Sequence, residues 1–146
     1  MDIKHNNHSV GQNSYHLVWK LKWSWDALKF FPVRNICIAA LKNVAKRYSI
    51  EIIEMEVMSD HVHIFVDIPS TMSVSKALQL LKGFSAKKIF EHQPWLRRWF
   101  QTGHLWSPGK FFRSVGNVSA EAIQNYIAGT NRTQKYQQLL TRYPAF

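Results

Sequence analysis

The feature that most constrains the fold is a run of strand-forming residues around two histidines, Asp-His-Val-His-Ile-Phe-Val-Asp at residues 60–67. Successive strand side chains point to opposite faces. His61 and His63 therefore share one face, roughly 6.6 Å apart along the strand, two rises of about 3.3 Å each. Two imidazoles at that spacing can bind one metal ion, although two half-exposed strand residues give the same pattern. The opposite face is aliphatic, and we expect it to pack on the core: Val62, Ile64 and Val66.

A second strand is predicted immediately before this run. Residues 50–58 alternate with a period of two, and the polar pair at residues 59–60 makes a short turn, so the two strands form a hairpin. In a regular strand Ile52 shares a face with Glu54 and Glu56. These glutamates are an acidic alternative for a metal site, or surface and interface residues.

The rest of the chain predicts a split βαβ pattern. A period of two over residues 14–25 indicates a first strand, and apolar spacings of three and four indicate three helices. The full order is β-α-β-β-α-β-α, typical of an α+β, ferredoxin-like (RRM-like) fold with an antiparallel sheet and helices on one face. The predicted elements after the first strand are a helix over 32–48, the hairpin over 50–67, a helix over 74–89, a short strand near 111–115 and a helix from 118.

We interpret residues 1–146 as one domain, with a polar N-terminal arm at 1–13 and a polar C-terminal tail at 130–146. No apolar run is long enough to span a membrane, and the N-terminus lacks the apolar segment of a signal peptide. The single cysteine, Cys37, fits a reducing cytoplasm and a buried packing role.

The composition favours a nucleic-acid partner. Lysine and arginine number 19 against 9 acidic residues, a formal charge of +10, alongside 6 tryptophans, 5 tyrosines and 9 phenylalanines. Basic charge attracts phosphates and aromatic rings stack on unpaired bases. Candidate DNA-binding lysines lie on the first strand and the second helix, where a solvated surface is the alternative interpretation: Lys20, Lys22, Lys76, Lys82, Lys87 and Lys88.

Tyr126 lies on the apolar stripe of the last predicted helix, where a tyrosine is either a core residue or a nucleophile. A phenolate that attacks a DNA phosphate forms a phosphotyrosine ester and releases a sugar 3′-oxygen. One phosphodiester replaces another of similar energy, so the strand can be rejoined without ATP. A bound cation polarises the phosphate and stabilises the departing alkoxide.

Four segments, in this order, carry a family resemblance: Tyr-His-Leu-Val-Trp at 15–19, Asp-His-Val-His at 60–63, Leu-Trp-Ser-Pro-Gly at 105–109 and Asn-Tyr-Ile at 125–127. Together they resemble the single-tyrosine, His-hydrophobe-His (TnpA-like) transposases of small bacterial and archaeal insertion sequences, over about residues 8–130.

The resemblance implies a cytoplasmic, nucleoid-associated enzyme that cuts and rejoins single-stranded DNA through a 5′-phosphotyrosine intermediate. It implies imperfect DNA hairpins as partners, Mg²⁺ or Mn²⁺ as cofactor, and a homodimer joined through its sheets. The tyrosine helix of one protomer then faces the histidine pair of the other. Carried over by position, His61 and His63 are metal ligands and Tyr126 is the nucleophile.

One position departs from the family pattern. A glutamine commonly follows the tyrosine by four residues as a third metal ligand, and here Thr130 occupies that place. Two neutral histidines alone hold a hard cation poorly. Three explanations are open: Thr130 or Asn131 supplies the missing ligand, DNA phosphate and water complete the metal's coordination shell, or this copy of the transposase is weakened. Asn131 is our candidate third ligand.

Two other functions are compatible with these residues. A replication initiator or relaxase-like nuclease uses the same histidine pair and tyrosine, usually within a larger set of domains. A non-catalytic ferredoxin-like nucleic-acid-binding protein shares the fold, although a clear RNP-type aromatic signature is missing from the central strands.

Overall fold

A computed structural model describes residues 13–100, 103–109 and 111–114, and shows a four-stranded sheet covered by two long helices. Two short 3-10 helices, Lys22–Ser24 and Ala27–Lys29, follow the first strand. The other elements are β1 (Ser14–Lys20), α1 (Phe31–Arg47), β2 (Glu51–Val57), β3 (His61–Asp67), α2 (Val74–His92), α3 (Trp95–Trp99) and β4 (Phe111–Ser114).

The sheet has the strand order β2-β3-β1-β4, and each neighbouring pair is antiparallel. The two central strands, β1 and β3, are therefore not consecutive in the chain, and α1 and α2 provide the crossovers. This arrangement is the split βαβ pattern, so the predicted ferredoxin-like α+β fold is confirmed. The predicted helix that carries Tyr126 lies outside the described residues.

The core lies between one face of the sheet and both long helices. On that face Leu17 is opposite Ile64 and Trp19 is opposite Val62, and all four are fully buried. The apolar stripes of α1 and α2 pack on them in a single cluster that includes Val33, Cys37, Leu41, Val44, Ala77, Leu78 and Leu81. The aliphatic face of β3 packs on the core, as its alternation predicts.

Local signals set the starts of the two helices. Pro32 lies in the first turn of α1, where a missing N–H costs nothing. Ser73 precedes α2, and its hydroxyl accepts a hydrogen bond from the Lys76 N–H at 3.1 Å. Burial raises the pKa of the Cys37 thiol to about 12, so this cysteine is a packing residue in α1.

The first strand is shorter than its alternation predicts. It ends at Lys20 because the chain then turns into the first 3-10 helix, where Ser24 donates to the Leu21 carbonyl at 3.1 Å. Leu21 still follows the β1–β3 register, since its N–H donates to the Asp60 carbonyl at 2.9 Å, and Lys22 donates to the Leu105 carbonyl at 3.0 Å. Trp23 then adopts a φ of 59° and lies on the surface. The prediction that Lys22 lies on the first strand together with Lys20 is therefore wrong, because Lys22 begins the 3-10 helix.

A β-bulge changes the faces of β2. The register shifts between Ile52, which is opposite Val66, and Glu54, which is opposite Phe65. Ile52 consequently faces the core, whereas Glu54 and Glu56 face the other side of the sheet. The prediction that Ile52 shares a face with both glutamates is wrong because a bulge breaks the period of two.

The segment after α3 is held against the sheet and α2. Trp106 packs edge-on against Trp19, and its indole N–H lies 3.0 Å from both the Ser85 hydroxyl and the Lys82 carbonyl. The Lys82 ammonium donates to the Ser107 carbonyl at 2.9 Å. Within the described part of the chain, every helix is too short or too polar to cross a bilayer.

Leu81 is fully buried where α2 meets the sheet, and Gln79 is exposed on the same helix. We expect Leu81→Ala to lower the free energy of unfolding by about 2–5 kcal/mol, because it leaves a cavity in the core. Gln79→Ala is the matched control and should change the free energy by less than about 0.5 kcal/mol. Urea denaturation followed by circular dichroism measures both, and equal effects would contradict this description of the core.

Candidate metal centre and DNA-binding surface

The two histidines of β3 lie side by side on the sheet face opposite the core. His61 is opposite Lys20 of β1, and His63 lies between Val18 of β1 and Glu56 of β2. The shared face predicted from the alternation is confirmed. Both side chains are buried, with only 5% of His61 and 1% of His63 exposed, so the half-exposed alternative is wrong.

Asp60 orients the first imidazole. Its Oδ1 lies 2.8 Å from Nδ1 of His61, and this hydrogen bond is the main cause that lowers the pKa of the Asp60 carboxyl. An ionised carboxylate accepts, so Nδ1 carries the proton and Nε2 is the ring nitrogen that a metal could use. Carboxylates fix ligand histidines in this way at many metal sites.

The second imidazole is held between other rings. His16 of β1 stacks on His63, with ring centroids 4.0 Å apart, and on Phe65, at 4.3 Å. Burial lowers the pKa of His63 far below its ordinary value, and the neighbouring His16 and His61 lower it further. His63 is therefore neutral, the form in which imidazole binds a metal.

The described residues provide part of a metal site. His61 and His63 offer imidazole nitrogen donors on one face, which fits a divalent cation. Within residues 13–100, 103–109 and 111–114 no group of three His, Cys, Asp or Glu side chains is placed to hold a metal. Glu54 and Glu56 therefore do not complete a metal cluster of that kind within this part of the chain. Tyr126, Thr130 and Asn131 lie outside it.

The six candidate DNA-binding lysines do not form one surface. Lys20 is beside the histidine pair, Lys88 bonds Glu91 at 3.2 Å, and Lys76 lies at the N-terminal end of α2 near Arg47. The other three, Lys22, Lys82 and Lys87, come together.

Lys22, Lys82, Lys87, Arg97 and His104 line one cavity of about 560 Å³, which we call the basic groove. Its walls are α2, the start of α3 and the loop that contains Trp106. Four cationic side chains around one cavity fit the phosphate backbone of a nucleic acid. The 3-10 helix after β1 brings Lys22 to this groove. The alternation of side chains along a strand could not predict that position.

Sequence reasoning missed two groups of residues. Asp60 and His16 surround the histidine pair; the position of Asp60 next to His61 was the available signal, whereas the stacking of His16 depends on the β1–β3 register. Arg97 joins the basic groove from α3, a helix of five residues that is too short to show a clear period, and His104 joins it from the loop that contains Trp106.

A family model described as "Transposase IS200 like" matches residues 9–130. The chain belongs to this transposase family. The ISDra2 transposase TnpA of Deinococcus radiodurans is 31% identical over 127 residues, which cover 87% of this chain and 90% of that protein. The transposase for insertion sequence element IS200 of Salmonella typhimurium is 29% identical over 144 residues, covering 98% and 93%. The resemblance inferred from the sequence is confirmed.

Solved structures agree with the fold. A crystal structure of a Deinococcus radiodurans protein assigned as a transposase superposes with a TM-score of 0.65 at 28% identity, covering 80% of this chain and 88% of that one. A REP-associated tyrosine transposase bound to a REP hairpin superposes with a TM-score of 0.55 at 16% identity, covering 87% and 68%. The second likeness shows the fold alone. As an IS200-like transposase, this chain acts in DNA transposition and recombination.

Because the pKa of His63 is lowered, the stability of this transposase should depend on pH. Above the unfolded-state pKa of about 6.5, His63 is neutral in both states and its contribution to stability is fully present. As the pH falls below this value, the unfolded chain binds a proton at His63 that the folded chain does not bind, so the contribution is lost. Between pH 7.5 and 5.5 we expect a loss of about 1.4 kcal/mol from this group. Urea unfolding in EDTA measures it. His63→Gln should not show this part of the pH dependence. An equal pH dependence of unfolding in both proteins would contradict a lowered pKa of His63.

Proposed function

We propose that this chain is a metal-dependent transposase that cuts and rejoins single-stranded DNA at the ends of an insertion sequence through Tyr126. The observation that carries the proposal is the pair of buried histidines on one face of β3, with His61 oriented by Asp60. In a chain of this transposase family, such a pair is suited to hold Mg²⁺ or Mn²⁺.

In this mechanism His61 and His63, which share the sheet face opposite the core, would hold the cation through their ring nitrogens. When bound, the cation polarises the scissile phosphate and stabilises the departing alkoxide. The Tyr126 phenolate attacks phosphorus, a phosphotyrosine bond forms at the 5′ side and the bond to the sugar 3′-oxygen breaks. A second 3′-hydroxyl then attacks the phosphotyrosine, which rejoins the strand and returns the phenol.

The third ligand comes from Asn131 or Thr130 in this proposal, with DNA phosphate and water completing the shell. Oxygen ligands are the usual preference of Mg²⁺ and Mn²⁺, so a side-chain amide or hydroxyl is chemically suitable. The loss of the usual glutamine weakens metal affinity, and we expect Mn²⁺, which accepts imidazole more readily, to support more activity than Mg²⁺.

The DNA partner in this proposal is a single strand with imperfect hairpins near the element ends. Two observations support it: the four cationic side chains of the basic groove, and the REP hairpin bound by the structural neighbour of the same fold. We further propose a homodimer in which Tyr126 of one protomer faces the histidine pair of the other, acting in the cytoplasm of a bacterium or archaeon.

Tyr126→Phe removes only the phenol oxygen, so it tests the nucleophile directly. We expect wild-type protein, incubated with a labelled hairpin-bearing oligonucleotide and Mn²⁺, to form a covalent adduct that resists denaturation. Tyr126→Phe should abolish the adduct while binding of the same oligonucleotide persists. Gel electrophoresis in detergent measures the adduct and fluorescence anisotropy measures the binding.

The histidine pair provides the matching test of the metal. His61→Ala and His63→Ala should each reduce the adduct by about 10-fold or more, and EDTA should abolish it in the wild type, because ligand loss lowers metal occupancy. An adduct that survives in Tyr126→Phe would move the nucleophile elsewhere. DNA binding without any wild-type adduct would support the non-catalytic alternative.

The basic groove predicts a specific salt dependence. Lys87→Ala should weaken hairpin binding and reduce the slope of log affinity against log salt by about 0.9, the loss of one phosphate contact. Lys76→Ala is the matched control, since Lys76 lies on the same helix but outside the groove. Titrations at several salt concentrations measure both slopes, and a larger effect of Lys76→Ala would place the hairpin at the other end of α2.

A further inference from the structure

A second cavity, on the other side of α3 from the basic groove, is lined by aromatic rings. Trp25, Phe30, Trp95 and Trp99 surround a space of about 550 Å³, which we call the aromatic cleft. Trp25 comes from the chain between the two 3-10 helices, Phe30 precedes α1, and the other two rings belong to α3. A volume of this size can hold a flat ring of the kind found in small-molecule sites.

The rings of the cleft are unusually exposed for such large apolar groups. Phe30 is 47% exposed, Trp95 42% and Trp99 58%. Trp99 packs edge-on against Trp25 at 5.3 Å, and Phe30 packs edge-on against Trp95 at 6.1 Å. The core does not require these side chains, so their exposed faces form an apolar patch of the kind that marks a binding site.

Cationic side chains border the aromatic cleft. The Lys29 ammonium lies 5.5 Å from the ring centroid of Phe30, which lines the cleft. Arg98 follows Trp95 by three residues on α3, so it lies on the same side of that helix. Asp26 also lines the cleft and forms an ion pair with Lys29 at 3.0 Å. Both side chains are more than half exposed, so this pair is weak and leaves Lys29 available to a phosphate.

We propose that the aromatic cleft binds an unpaired base of single-stranded DNA, stacked on the rings of α3, with neighbouring phosphates at Lys29 and Arg98. Exposed aromatic rings bordered by cations are the combination that single-stranded nucleic acid binds without strong sequence preference. The proposal rests on the proposed function, in which the substrate is single-stranded DNA. It adds a binding site separate from both the histidine pair and the basic groove.

The position of α3 connects this site with the groove. Arg97 of α3 lines the basic groove, whereas Trp95 and Trp99 of the same helix line the aromatic cleft. A strand that leaves a hairpin held in the groove therefore reaches the cleft by crossing one short helix. This gives the cleft a role in holding the unpaired DNA that adjoins a hairpin.

A second copy of this chain is the less favourable occupant. The protein carries a formal charge of +10, and a self-complementary contact through the cleft would bring the cations of one border against those of the other. An anionic strand instead gains attraction from the same cations.

The test uses the full chain and a labelled 12-nucleotide oligo-dT, which cannot form a hairpin. We expect the double variant Trp95→Ala/Trp99→Ala to bind it roughly tenfold or more weakly than wild type, because each stacked base contributes substantially to such binding. Phe31→Ala is the matched control, since Phe31 is 73% exposed but outside the cleft, and it should bind as wild type does. Trp95→Phe/Trp99→Phe should retain most of the affinity.

Three further readouts make the outcome decisive. Circular dichroism should show that the double variant is folded, and light scattering should show an unchanged oligomeric state. Equal oligo-dT affinity in the folded double variant and wild type would overturn the proposal, as would a change of oligomeric state caused by the double variant. The adduct assay with hairpin DNA separates the cleft proposal from the proposed function. If wild type forms the adduct but the double variant binds oligo-dT as wild type does, only the cleft proposal is refuted. If wild type forms no adduct, the proposed function is refuted.

Discussion

The antiparallel pairing of β1 with β3 is the interaction on which the rest of the structure depends. These central strands are distant in sequence, and their register places Leu17 against Ile64 and Trp19 against Val62 on the core face. Because side chains alternate, the same register stacks His16 on His63 on the other face. A slip of one residue would expose the aliphatic side chains and bury the imidazoles in the core, so packing energy also fixes the geometry of the candidate metal centre.

The sequence was informative wherever periodicity was regular. The alternation in residues 61–67 and the apolar spacing in residues 74–89 predicted a strand and a helix that the structure contains. The errors arose where the backbone departs from a regular strand. The chain turns into a 3-10 helix shortly after Lys20, and the bulge after Ile52 reverses the faces of β2. Neither event depends on local sequence alone.

The sequence predicted which residues form the candidate metal centre, but it predicted less well which residues surround them. His61 and His63 could be identified because their spacing is set by the strand itself. Their burial, and the stacking of His16, depend on which strand becomes the neighbour. The basic residues show the same limit more strongly, because Lys22, Lys87 and Arg97 meet only through the packing of α2, α3 and a loop. The net charge of the sequence predicted a nucleic-acid partner. The position of the basic groove could be found only once the fold was known.

Asp60 forms two hydrogen bonds, one through its backbone and one through its side chain. Its carbonyl accepts the N–H of Leu21, just past the end of β1, and its carboxylate fixes the imidazole of His61. A movement of the chain that carries Lys22 and Trp23 would therefore be transmitted, through one residue, to a ligand of the candidate metal centre. The hairpin turn thus joins, through one residue, the chain that enters the basic groove and a ligand of the candidate metal centre.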